Sequence, residues 1–199
     1  MAKRVLLAGI LGGIAMFVWN FVAHDLLPLG EIGLREIPNE AAVLATMHAN
    51  MPEPGLYIFP GFGLPADATR AQKEAAMPEV QRKAASGPQG VIVYHPIGNS
   101  QFMRQLLTEG GTNILQALIA VFLLAQVRLK RFSSRVGFVT LIGIGAAITT
   151  NISYWNWYGF PGNYTAGYVF TLVVGYIVVG VIAAAIVKSK EGKAVGEGA

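Results

Sequence analysis

Four stretches of the sequence are long, apolar and almost free of charge, and each is long enough to cross a bilayer. They cover residues 1–27, 101–127, 136–158 and 164–187. A helix needs about 20 apolar residues to cross a hydrocarbon core about 30 Å thick. Only 13% of the residues are charged, whereas soluble domains carry about 25%. The sequence therefore predicts an all-α integral membrane protein that folds as a four-transmembrane-helix bundle.

The first apolar run follows Lys3 and Arg4, so it resembles the core of a signal peptide. No small-residue cleavage site follows it at a suitable distance, and we expect it to be retained as a membrane span. The other three runs are too far from the start of the chain to be read in this way.

The lysines and arginines that flank the spans indicate the orientation of the chain. Basic residues cluster in three places: beside Met1, in the loop 128–135 between the second and third spans, and in the tail 188–199. The turn 159–163 carries no charge, and the segment 28–100 carries five basic and seven acidic residues. Because positive charge favours the cytoplasmic side, both termini are expected in the cytoplasm. The expected location is the inner membrane of a bacterium.

The long segment between the first two spans is predicted to form an extracytoplasmic cap. Helical periodicity favours a short helix over 39–50 and a second over 67–85, the latter broken or kinked at Pro78. Two runs rich in β-branched and aromatic residues, 56–59 and 90–96, are typical of strands and could pair as a small hairpin-like sheet.

Polar residues within the spans fall in their predicted outer halves and repeat at helical spacing. Glu109 and Asn113 are four residues apart on the second span, so they share one face. His24 and Asp25 end the first span, and Asn151 lies at a similar depth in the third. Because polar groups are costly against lipid, we expect these five residues to line one polar pocket that opens to the outer side.

Two interpretations of these pocket residues stay open. Asn151 could only hold helices together by hydrogen bonding, and Asp25 could only be solvated at the membrane surface. Alternatively, His24, Asp25 and Glu109 could bind a divalent metal such as zinc, with a histidine of the cap added. The chain has no cysteine, so neither thiolate sites nor iron–sulfur clusters are expected. Haem is not expected either, because His24 is the one histidine near a span.

The sequence favours a non-enzymatic accessory or structural subunit of a larger membrane complex. The chain is small, shows no catalytic motif, and carries a G-x-x-x-G pattern at Gly9 and Gly13 that suits close helix packing. The expected partners are the lipid bilayer and other membrane subunits or a second copy, and not nucleic acid. The alternative is a binder, carrier or enzyme that uses the outward-facing polar pocket.

A reporter fusion tests the orientation. The reporter is an enzyme that is active only outside the cytoplasm. We expect its fusion after Ser86 to be active, because this position lies in the segment 28–100. The same reporter at the C-terminus should show the opposite behaviour. An inactive Ser86 fusion would refute the predicted topology.

Overall fold

The structure is a computed structural model and describes residues 1–98 and 101–187. The chain forms two compact units, one from residues 1–34 with the chain from residue 101 onward, and the other from residues 35–100. In chain order the elements are α1 (Ala2–Phe21), α2 (Glu40–Asn50), β1 (Gly55–Phe59), α3 (Arg70–Ser86), β2 (Gly90–Tyr94), α4 (Phe102–Gln126), α5 (Phe132–Ala147), α6 (Ser153–Tyr158) and α7 (Gly162–Ile186). The predominantly helical fold and the small sheet are confirmed.

Four helical segments of the described chain are long and apolar enough to cross a membrane. They are Ala2–Leu26, Phe102–Gln126, Phe132–Tyr158 and Gly162–Ile186. The first consists of α1 and one turn of π-helix at Val22–Leu26, and the third joins α5 to α6 through a π turn at Ile148–Ile152. The third segment begins four residues before the expected residue 136, so Arg135 lies within α5 rather than in the preceding loop.

The four long helices pack in the order α4, α1, α7, α5. Helix α1 packs against α4 on one side and α7 on the other, and α7 also packs against α5. Helices α4 and α5 make few contacts with each other. The core shared by all four helices includes the fully buried Met16, Val121, Val139 and Val179. The bundle therefore has one loosely packed seam, between α4 and α5.

Glycines allow α1 and α4 to approach closely. A Cβ atom at Gly13 would lie 2.3 Å from the Cα atom of Ile114, and one at Gly9 would lie 2.9 Å from the Cα atom of Leu118. Both distances are too short for any side chain, so the G-x-x-x-G pattern of α1 is used for packing inside the bundle.

Helix α7 uses its own small residues in the same way. A Cβ atom at Gly175 would meet the Met16 side chain of α1 at 2.9 Å. A Cβ atom at Gly180 would lie 3.1 Å from the carbonyl oxygen of Val136 on α5. The small-residue face of α7 therefore packs against both of its neighbours in this chain.

The second unit contains the predicted pair of strands. Strands β1 and β2 are antiparallel, with Leu56 opposite Val93 and Ile58 opposite Val91. These four aliphatic side chains lie on one face of the sheet, because side chains alternate between faces along a strand. Helix α2 begins close to the predicted position, with Asn39 as its N-cap.

The expected break at Pro78 does not occur, since α3 is one continuous helix from Arg70 to Ser86. Proline removes one backbone hydrogen bond, but other interactions support the helix. A capping box of Thr69 and Gln72 fixes its first turn. Beyond the proline, Arg82 bonds Glu79 at 2.7 Å, and this hydrogen bond lowers the pKa of the Glu79 carboxyl.

Substitution of Gly13 tests the close approach of α1 and α4. We expect Gly13→Ala to lower the stability of the purified protein by about 1–3 kcal/mol, the usual cost of overpacking a core. Thermal unfolding in detergent measures the effect. Gly145→Ala on α5 is the matched control, because nothing lies within 4 Å of its added methyl group. An unchanged melting temperature for Gly13→Ala would contradict the packing.

Candidate functional site

A cavity of about 880 Å³ lies at the end of the bundle where α1 ends and α4 begins. Both π turns and all four long helical segments contribute to its wall. Its lining residues are Phe17, Val18, Asn20, Phe21, His24, Asp25, Phe102, Leu106, Glu109, Asn113, Gln116, Thr150, Asn151, Tyr154, Phe160, Tyr164, Thr165, Tyr168, Thr171 and Leu172. The cavity reaches the loosely packed seam, because residues of α4 and of the second π turn both line it.

The five residues expected in a polar pocket all line this cavity. His24 and Asp25 come from the first π turn, Glu109 and Asn113 from α4, and Asn151 from the second π turn. The structure therefore brings the five side chains to one cavity, and their role as a binding site stays a prediction. Gln105 precedes Glu109 by four residues and so lies on the same face of α4, but it is not part of the lining.

The two π turns place polar side chains in the wall. The backbone N–H of Leu27 donates to the Val22 carbonyl oxygen at 2.9 Å, a bond that spans five residues instead of four. Each π turn supplies two polar lining residues, His24 and Asp25 in the first and Thr150 and Asn151 in the second. Single π turns are rare and frequently occur at functional sites. Sequence periodicity gave no signal for either of them.

Glu109 accepts two amide hydrogen bonds on a single oxygen. The Nδ2 atom of Asn20 donates to Glu109 Oε1 at 3.3 Å, and Asn113 Nδ2 donates to the same oxygen at 3.1 Å. Asn20 belongs to α1, whereas Asn113 is one turn from Glu109 on α4 and is only 2% exposed. These bonds occupy one oxygen of the Glu109 carboxyl group, and none of the ion pairs among the described residues involves Glu109.

The remaining polar contacts of the wall are structural. Trp19 Nε1 donates to the carbonyl oxygen of Thr171 at 2.8 Å and joins α1 to α7. The Tyr176 hydroxyl donates to Gln116 Oε1 at 3.3 Å. Asn151 Nδ2 donates to the Ala147 carbonyl oxygen of its own helical turn at 3.1 Å. The bond of Asn151 agrees with the structural interpretation of that residue, and the bond from Tyr176 joins Gln116 of α4 to α7.

One wall of the cavity is a continuous row of rings, here called the aromatic row: Tyr154, Phe160, Tyr164, Tyr168 and His24. Successive ring centroids lie 5.4, 5.5, 4.7 and 5.9 Å apart. The row begins on α6, follows the start of α7 and ends on the first π turn. It therefore brings aromatic faces to the same cavity as the Glu109 carboxylate.

The aromatic cluster 154–160 is typical of a belt at the membrane interface, and its members differ in exposure. Trp155 and Trp157 are 50% and 77% exposed and are absent from the cavity lining, as expected for belt residues. Tyr154 and Phe160 line the cavity. Sequence reasoning missed these rings as site residues, because a run of aromatics does not show which of them point inward.

His24 is held in place by its surroundings. A Cβ atom at Gly30 would lie 2.0 Å from His24 Nδ1, so only glycine fits beside the imidazole. On its other side, the His24 ring meets the Tyr168 ring at an interplanar angle of 74°. The imidazole is therefore packed between the chain that follows α1 and the wall of α7.

The titratable side chains of the lining are two acids, one histidine and three tyrosines. Asp25 and Glu109 supply two carboxyl groups, and none of the described lining residues is lysine or arginine. No group of three or more His, Cys, Asp or Glu side chains within residues 1–98 and 101–187 is placed to hold a metal ion. His24, Asp25 and Glu109 thus share the cavity without forming the ligand set that the sequence suggested.

The four apolar helical segments are compatible with a multi-pass integral membrane protein. Comparison with known proteins adds no more specific class, since no family model, no curated protein and no solved structure matches this chain. The chemistry of the cavity therefore carries the functional argument.

Replacing Trp19 tests the bond that joins α1 to α7. We expect Trp19→Phe to lower the stability by about 0.5–1.5 kcal/mol for the lost hydrogen bond, with a further loss from the smaller ring. Trp157→Phe is the control, because that indole is largely exposed. The measurement is thermal unfolding of the two variants in the same detergent. Equal melting temperatures would refute the contact.

Proposed function

We propose that this protein is a multi-pass membrane protein that binds a small organic cation, an amine or a quaternary ammonium group, in the cavity. The observation that carries the proposal is the pairing of two carboxyl groups with an aromatic wall in a lining whose described residues include no lysine or arginine. A cationic ligand would supply the charge that this lining lacks.

The electrostatics of the bilayer support a cation. An ionised group at the centre of a membrane helix costs about 2.5–3.5 kcal/mol on insertion scales, and such groups usually have a partner of opposite charge. Glu109 has two amide donors but no basic side chain within salt-bridge distance in the described chain. A bound cation would lower the free energy of this carboxylate.

The aromatic row supports the same ligand class. A cation over the face of a tyrosine or phenylalanine ring gains about 0.5–2 kcal/mol, more when it is desolvated. Several rings in succession form the kind of surface that recognises quaternary ammonium groups. The volume also fits, because ligand sites for drug-sized molecules measure about 300–1,000 Å³ and this cavity measures about 880 Å³.

The direction of access follows from the topology expected from the basic residues. The cavity would open to the extracytoplasmic side, where α1 ends and α4 begins. Towards the other end, the core residues Val121, Leu124, Val179 and Ala183 are buried and apolar. We therefore favour a binder, or a carrier that changes shape, over an open channel.

A role as accessory subunit stays a prediction, but it loses one of its supports. The glycines of α1 and α7 could pack either inside the bundle or against a second protein, and in the structure they pack inside the bundle, Gly9 and Gly13 against α4 and Gly175 against α1. Purification in a mild detergent tests this role directly, since an accessory subunit should be recovered in a larger assembly.

Glu109→Gln tests the binding proposal. The probe is benzyltrimethylammonium, whose charge does not depend on pH, and the measurement is its Kd for the full chain in lipid nanodiscs. We expect the substitution to weaken binding by at least about tenfold, or 1.4 kcal/mol, because it removes the negative charge and keeps the size of the side chain.

Two controls accompany this experiment. Glu74→Gln on α3 makes the same chemical change at an exposed residue of the other unit and should leave Kd unchanged. A neutral isostere of the probe, with carbon in place of nitrogen, should bind wild type and Glu109→Gln equally. If Glu109→Gln left the Kd for the cation unchanged, the proposal would be refuted.

A further inference from the structure

Two contacts between helices fix the depth of Glu109 in the cavity. Asn20 of α1 donates to Glu109 Oε1 at 3.3 Å, so the carboxyl group lies at the level of Asn20. One residue earlier on α1, Trp19 Nε1 donates to the carbonyl oxygen of Thr171 at 2.8 Å. Measured along the bundle, Glu109 therefore lies at about the same depth as Thr171 of α7.

The second carboxyl group of the lining lies nearer the end of the bundle where α1 ends. Asp25 follows Asn20 by five residues in one helical segment, Ala2–Leu26. At about 1.5 Å per helical residue, it lies about 7 Å farther along the axis. Asp25 is exposed and lines the cavity, and its side chain makes no hydrogen bond or ion pair with residues 1–98 and 101–187. The cavity thus has two separate acidic positions.

Most of the aromatic row lies farther along the cavity than Glu109 does. Tyr168 and Tyr164 precede Thr171 on α7 by three and seven residues, or about 4 and 10 Å along the axis. The Tyr168 ring meets the ring of His24, so this part of α7 lies beside the end of the first helical segment. An ammonium group paired with Glu109 would therefore leave most of the row free for a second cationic group.

We infer that the ligand is a dication, with two ammonium groups joined by an apolar chain of about five methylene groups. One ammonium group pairs with Glu109, and the other pairs with Asp25 beside the aromatic row. An extended chain advances about 1.2 Å per bond, so six bonds span the separation of about 7 Å between the two acidic positions. This inference rests on the proposed binding of an organic cation.

The lining between the two carboxyl groups suits the apolar chain. Phe21 lies between Asn20 and Asp25 in the sequence, and Leu106 precedes Glu109 by about one turn on α4. Both apolar side chains line the cavity. Methylene groups would thus lie against apolar side chains, with a charge at each end of the ligand. A monovalent cation would leave one of the two carboxyl groups without a partner.

The experiment measures Kd for α,ω-bis(trimethylammonium)alkanes with two to ten methylene groups by titration calorimetry of the full chain in lipid nanodiscs. The reference at each length is the same chain with one trimethylammonium group and one neutral tert-butyl group. We expect the dication with about five methylene groups to bind about tenfold more tightly than its reference, since it gains an exposed ion pair and further cation–π contacts. With two methylene groups, which cannot reach both carboxyl groups, this advantage should disappear.

Asp25→Asn tests the position of the second ammonium group. The substitution removes the charge and keeps the size of the side chain, so the dication should bind no more tightly than its reference. Asp67→Asn makes the same change at an exposed residue of the other unit and should keep the tenfold ratio. Thermal unfolding checks that both variants are folded. If Asp25→Asn does not fold, the dependence on chain length in wild type decides the question.

The outcomes separate this inference from the proposed function. If wild type binds each dication and its reference equally at every length, the dication is overturned and cation binding stands. An advantage that survives in Asp25→Asn would overturn the assignment of the second ammonium group to Asp25. If wild type binds none of these ligands and no benzyltrimethylammonium, both the inference and the proposed function are overturned.

Discussion

The hydrogen bonds to Glu109 Oε1 explain how a carboxylate can lie in a helix that is apolar enough to cross a membrane. Glu109 and Asn113 belong to α4, but Asn20 belongs to α1. Its donated bond therefore requires the two helices to be close.

Close packing of α1 and α4 is what lets Asn20 reach the carboxylate. Gly9, Gly13 and Asn20 are spaced by four and seven residues, so they lie along one face of α1. The two glycines rest on Leu118 and Ile114 of α4 with no room for a Cβ atom. Farther along the same face of α1, opposite Glu109 of α4, the residue is Asn20, whose amide side chain takes the place of the missing side chains of the glycines. The glycines thus set the distance at which the polar contact forms.

Much of this architecture could be predicted from hydrophobicity and periodicity. The four spans follow from run length, and the sharing of one cavity by His24, Glu109 and Asn113 follows from their depth and spacing. The π turns could not be predicted, because one extra residue in a turn leaves no mark in composition. The inward direction of Tyr154 and the intact helix at Pro78 depend on contacts that no local pattern encodes.

The order of helix packing restricts how the bundle could change shape. Helices α1 and α4 pack closely through the glycines of α1. Helices α5 and α7 pack closely where Gly143 contacts Tyr176. These two pairs meet along α1 and α7, where Trp19 bonds the backbone of Thr171. The seam between α4 and α5 has few contacts to break. A rearrangement that opened the cavity would therefore turn one pair against the other about the α1–α7 contact and widen this seam. Glu109 belongs to the α1–α4 pair, whereas most rings of the aromatic row belong to the α5–α7 pair. Under the proposed function, a cation bound between them would favour the closed arrangement.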